Sequence, residues 1–268
     1  MSWSWAALTP HPPIIVPEVG GGREMDASET IAGIDELTKR LGRMGHPDCI
    51  LLLSPHQPYV SGCLAINKTE SARGSFAPFG APHVVLDVRT PLDSVDPLSG
   101  LLSSAGVRVS LYESKDLTRD QGSMVPLYFL RKAYASLPPV LLTSPIGLDA
   151  AEAYKLGEAL ASFDDGRSWG FLASGDLSHR LKPGAPAGFS PNGKRFDAAV
   201  VESVRKCDAG AILSLSESVV SDAGECGMRS VLSMLGLVSS AGGKMDVLSY
   251  EGPFGVGYCN ALWTKERA

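Results

Sequence analysis

The sequence predicts an α/β fold: a single domain with a central mixed, mostly parallel sheet flanked by helices on both faces. Three observations predict it. The runs Cys49–Leu53 and 169–173 are apolar throughout, and 140–143 is apolar up to Thr143, as expected of strands covered on both faces of a parallel sheet. Segments with helical periodicity separate them, so strand and helix alternate. The chain has 268 residues, room for one large domain, and 1–268 is read as a single unit.

Taken in order, Ala6, Ala7 and Leu8 make a short strand. It stops at Thr9-Pro10-His11-Pro12-Pro13, where successive prolines remove donors and force an extended exit. Asp26 with Glu29 forms a capping box, and Ile31, Ile34, Leu37, Leu41 and Met44 follow near helical spacing. The Cys49–Leu53 strand then ends at Ser54-Pro55-His56. Strand, helix and strand here read as a right-handed βαβ unit with parallel strands. The pattern recurs where 140–143 runs into Ser144-Pro145, a helix spans 150–163, and 169–173 runs into Ser174-Gly175-Asp176. Between the units lie strands at 84–88 and 107–112 and a helix over 123–134. After them come helices at 193–206 and 227–236 and closing strands at 247–250 and 257–263. The stretches 67–82 and 182–192 read as surface loops.

Composition narrows the function. Lys plus Arg is 24 against 29 for Asp plus Glu, a net charge of −5, so the basic footprint of a nucleic-acid binder is absent. No apolar run approaches the ~20 residues that cross a bilayer. The amino terminus lacks the basic and apolar segments of a secretory signal. Five cysteines, at 49, 63, 207, 226 and 259, form no C-x-x-C pair, which points to a reducing cytoplasm and away from a disulfide framework or zinc knuckle. There is no phosphate loop and no G-x-S-x-G elbow, so nucleotide cofactors and serine hydrolysis have no support.

The sharpest feature is positional. His11 and His56 each follow a proline at the C-terminal end of a predicted strand, the edge where open α/β folds place ligands. If those strands are neighbours, their ends lie about 4.8 Å apart, and two imidazoles there can share one metal ion. His179, in Ser174-Gly175-Asp176-Leu177-Ser178-His179, stands just past another such strand. His46 and His83 fall at the opposite end of the sheet or in loops. A carboxylate would complete a 2-His-1-carboxylate arrangement suited to Fe(II), and Glu225, Asp176 and Glu251 are the candidates. Glu225 sits between glycines at a helix start, where an acid can equally serve as a cap.

These residues match a known pattern. Pro10-His11-Pro12-Pro13-Ile14-Ile15-Val16-Pro17-Glu18-Val19-Gly20, Ser54-Pro55-His56, Ser174 to His179, Gly224-Glu225-Cys226-Gly227 and Tyr250 to Tyr258 together resemble the catalytic subunits of class III extradiol ring-cleavage dioxygenases. The closest likeness is to the AMMECR1-linked branch beside the Memo-like proteins. The resemblance implies His11, His56 and Glu225 as ligands of a non-haem Fe(II), His179 as the acid/base, a catecholic vicinal diol and O₂ as substrates, and a homodimer or higher homo-oligomer. Where many relatives carry Asp-His-Gly facing the substrate, this chain has Asp120-Gln121-Gly122. Gln121 can donate a hydrogen bond to substrate, as Asp176 can accept one, but it does not titrate near neutrality. Cys226 is a second departure, since a thiolate suits zinc or copper. The alternatives are a Memo-like metal-binding protein without dioxygenase activity, in a redox, regulatory or partner-binding role, and hydrolysis by a zinc-activated water with His179 as base.

Overall fold

A computed structural model describes residues 3–265; Met1 and Ser2, part of the stretch read for a signal, lie outside the described residues. In chain order the elements are β1 (Trp3–Thr9), α1 (Pro17–Gly20), α2 (Ser28–Met44), β2 (Cys49–Leu53), β3 (Leu64–Asn67), β4 (Ser71–Phe76), β5 (Ala81–Arg89), α3 (Val95–Ser104), β6 (Val109–Tyr112) and α4 (Gln121–Leu130). There follow β7 (Val140–Ser144), α5 (Ala150–Leu160), β8 (Trp169–Ser174), α6 (Pro191–Lys206), α7 (Gly210–Leu213), α8 (Glu217–Ala223), α9 (Met228–Ala241), β9 (Lys244–Glu251) and β10 (Tyr258–Thr264).

Eight strands form one sheet in the order β6-β3-β7-β2-β8-β1-β10-β9. Its centre, β7-β2-β8-β1, is all parallel. Strands β3 and β10 join that centre antiparallel, so the mixed, mostly parallel sheet is as the sequence predicts. Alternation along each central strand splits the core. Leu51 and Leu53 face one side with Leu156, Val231 and Leu235 of α5 and α9. Ile50 and Leu52 face the other with Ile34, Leu37 and Leu41 of α2. Both faces are therefore covered, which is why the central runs carry no polar alternation.

Four details differ from the sequence reading. First, β1 and β2 are not neighbours, because β8 lies between them. Linear order does not fix lateral order, and β8 inserts its own parallel pairing with each. Second, the 84–88 strand belongs to β5 and pairs only with β4 in a separate two-stranded sheet, so 67–82 is largely strand. Third, Asp26 and Glu29 make no capping box; a 3-10 turn over Arg23–Ala27 precedes α2 without a side-chain cap. The reciprocal cap occurs at Asp149 and Glu152 of α5. Fourth, strand β3 and helices α1, α3, α7 and α8 form where the sequence reading placed no strand or helix.

Candidate metal centre

The site lies at the carboxyl ends of β1, β2 and β8. His11 follows β1 and is buried at 2% exposure. Its backbone N–H donates to Asp176 Oδ1 at 2.8 Å, and its Nδ1 stands 2.9 Å from Ser174 Oγ at the end of β8. An Nδ1–H donated to Ser174 leaves the Nε2 lone pair facing the rim, the arrangement by which a second-shell partner orients a metal-binding histidine. His56 follows β2 and is more open to solvent. Its loop is tied down because His56 N–H donates to Ser54 Oγ at 3.2 Å, and Ser54 Oγ–H donates to Asp120 Oδ1 at 2.6 Å. Gln57 donates to the other Asp120 oxygen and accepts from Tyr112 OH.

Although β8 separates their strands, His11 Nε2 and His56 Nε2 come within 3.0 Å. Cys226 Sγ lies 3.5 Å from His11 Nε2, and the three donor atoms all fall within 4.8 Å of one another. Two nitrogens held about 2.1 Å from one ion at a right angle stand about 3.0 Å apart, and nitrogen and sulfur at a tetrahedral angle about 3.6 Å. The spacings fit a single cation. Burial, then the neighbouring His56, holds His11 down at about 3, and partial burial lowers His56. Both rings are thus neutral at pH 7, the form a metal requires. Burial, then Asp176, raises the Cys226 thiol well above its usual range, so its proton leaves only when a cation takes its place.

Glu225, the carboxylate expected as third ligand, is not in this trio. Its Oε2 accepts the first N–H of α9, from Met228, at 2.6 Å, and Oε1 lies 3.8 Å from Arg229. The positive helix end holds the carboxylate, and the next residue, Cys226, turns to the histidines instead. The turn is built by two glycines back to back: a Cβ on Gly175 would lie 2.2 Å from Gly227 Cα. Cys226 and Gly227 N–H both donate to Asp176 O, at 3.4 and 2.9 Å.

His179 and Asp176 share the same rim. His179 Nδ1 donates to Gly224 O at 2.6 Å. A carbonyl can only accept, so in the neutral ring Nε2 is the free base. Asp176 Oδ2 lies 4.0 Å from both His179 Nε2 and His11 Nε2. Burial pushes Asp176 up to about 6, against the His11 N–H and the neighbouring histidines. Gln121 is half-buried at the first residue of α4. That helix end packs on the His56 loop, since a Cβ on Gly122 would lie 3.1 Å from His56 Cδ2. Glu251 is engaged elsewhere, accepting from Thr30 N–H at 2.6 Å. His46 binds the Pro47 and Ser136 carbonyls, and His83 lies exposed on β5.

Sequence reasoning missed Ser174, Ser54, Asp120, Gln57 and Tyr258. Tyr258 is buried, and burial followed by Asp176, Glu251 and Cys226 raises its phenol, so it remains a donor. Short polar residues flanking the two Pro-His steps were the available signal for the serines; Tyr258 closes the Tyr250 to Tyr258 stretch of the resemblance, where it was given no role.

A parallel sheet with histidines converging at its carboxyl rim makes this an α/β protein with a donor set able to hold one cation. Residues 5–260 match the family described as catalytic LigB subunit of aromatic ring-opening dioxygenase, and the chain belongs to that family. It is 33% identical to protein CA_C1420 of Clostridium acetobutylicum over 271 residues, covering 96% of this chain and 57% of that protein, so it spans little more than half of that relative. The crystal structure of the uncharacterized protein JW3007 from Escherichia coli K12 superposes with a TM-score of 0.62 at 15% identity, covering 97% of this chain and 99% of that one. That likeness bears on the fold. Among the described residues no helix is long and apolar enough to cross a membrane.

Proposed function

We propose that the chain is a non-haem Fe(II)-dependent extradiol dioxygenase that opens a catecholic ring, with 1–268 acting as one catalytic unit in a cytoplasmic homo-oligomer. The observation that carries this reading is the meeting of His11 and His56 at 3.0 Å beside the free Nε2 of His179. Family membership over 5–260 supports it, and five free cysteines agree with a reducing compartment.

In this reading His11, His56 and Cys226 hold the ion, with Glu225 capping the helix behind them. When bound, a ferrous ion supplies Lewis acidity to the diol and the redox partner that dioxygen needs. His179 takes a hydroxyl proton of the diol at Nε2, a task suited to imidazole, and returns it as the ring opens. The Gly224 carbonyl fixes its tautomer throughout. Asp176 orients His11 through the backbone and stabilises the His179 imidazolium. Gln121 and the Tyr258 phenol donate hydrogen bonds to substrate oxygens.

One observation favours a second reading, a Memo-like metal protein without ring cleavage: the third donor is a thiol, which suits zinc or copper. Anaerobic reconstitution with Fe(II), followed by a catechol panel with O₂-uptake and absorbance readouts, separates the two. Ring-opened product, lost in His179→Ala at unchanged iron content, is the expected result. Full iron occupancy with neither O₂ uptake nor product overturns the first reading.

A further inference from the structure

Away from the rim, a groove of about 970 Å³ opens between α6 and β9, the last strand of the sheet. That volume matches small-molecule sites, which run from ~300 to ~1,000 Å³. Leu181, Val201, Tyr250 and the alanines of α6 give it an apolar floor, and Lys182, Lys194 and Arg205 line it together with one acid, Glu202. Glu202 is already matched by Lys206 at 2.8 Å. Lys182 Nζ donates to the Pro253 carbonyl, which leaves its charge unneutralised. Lys194 and Arg205 form no ion pair among the described residues. A concentration of unmatched cations on a chain of net charge −5 is a local anion field. A two-fold contact centred on the groove would bring cation onto cation, which argues against a second copy as its occupant.

We infer that this groove binds an amphipathic organic anion, with an aromatic or aliphatic body on the Leu181, Val201 and Tyr250 floor and one acidic head among Lys182, Lys194 and Arg205. The site is separate from the metal centre, yet a single segment, 178–182, sends His179 to the rim and Leu181 and Lys182 to the groove. Tyr250 joins them from the groove side: its OH donates to Asp197 Oδ2 at 2.8 Å, and Asp197 Oδ1 accepts from Ser178 N–H at 2.8 Å.

Anilinonaphthalene sulfonate, an aromatic body with one fixed anion, is the probe, titrated by fluorescence against the full chain beside its neutral counterpart N-phenylnaphthylamine. The sulfonate should saturate one site and the neutral compound bind more weakly. The double variant Lys194→Glu, Arg205→Glu should weaken the sulfonate by about tenfold or more, the equivalent of two lost rim ion pairs. Ala198→Trp should obstruct the apolar floor of the groove and abolish binding, with circular dichroism and metal content unchanged in both variants. Binding indifferent to Ala198→Trp overturns the site. Binding lost in Ala198→Trp but unaffected by charge reversal overturns the anion. A wild-type dimer that Ala198→Trp splits in sedimentation assigns the groove to a second copy and overturns the proposal as well.

Discussion

Two glycine-flanked turns, Ser174-Gly175-Asp176 after β8 and Gly224-Glu225-Cys226-Gly227 before α9, press against each other and carry their acids to opposite ends. Both acids are buried, and burial raises both. Asp176 accepts from the His11 backbone and stays 4.0 Å from two histidine nitrogens. Glu225 accepts from α9 and neighbours Arg229. The difference teaches that a carboxylate at a helix start has a ready competitor for its charge, whereas one after a strand end is free to serve the rim. The helix start engages Glu225, and the thiol beside it faces the histidines.

The contrast is broken most severely by Gly175→Ala, whose Cβ would overlap Gly227 at 2.2 Å. It should cost about 3 kcal/mol in urea unfolding, at the upper end of overpacking penalties, and abolish metal uptake. Cys226→Ser should reduce metal affinity by more than the ~100-fold ceiling seen for outer-shell partners while leaving the urea midpoint near wild type; affinity within that range would return the ligand role to another residue. Asp176→Asn should lower affinity by about 10- to 100-fold as an orienting residue, read by competitive chelation.

A third buried acid, Asp197, sharpens the comparison because it lies between two donors and away from any helix start. Burial raises it to about 7. A carboxyl lifted above its unfolded value penalises the folded state as it ionises, so its effect is nil below pH 4, grows through pH 4 to 7, and is complete above 7. Asp197→Asn should flatten that part of the stability profile, read as urea midpoints taken across pH. The smallest effect belongs to Glu225→Gln, about 1 kcal/mol of stability with metal uptake unchanged, because the amide oxygen keeps the Met228 bond. A loss of metal in that variant would make Glu225 a ligand after all.

How much the sequence discloses follows from the same physics. The strands β2, β7 and β8 announce themselves because burial on both faces leaves uniform apolar runs. Of the β4–β5 hairpin only the 84–88 part of β5 does, since the polar and small residues of β4 resemble loop. His11, His56 and His179 are legible through repeated placement at strand ends. The insertion of β8 between β1 and β2 is not, because pairing is a tertiary choice. Neither is the division between Glu225, which faces α9, and Cys226, which faces the histidines: a linear pattern cannot separate two adjacent side chains.

The turn that carries His179 is clasped by the late segment 255–257, with Leu177 N–H donating to Gly257 O, Gly257 N–H to Ser178 O and Leu181 N–H to Gly255 O. Residues 255–257 have therefore to be made before the turn at His179 is secured, and Cys226 follows its neighbour His11 by 215 positions. A chain cut before position 255 would hold all three rim histidines yet lack these backbone bonds.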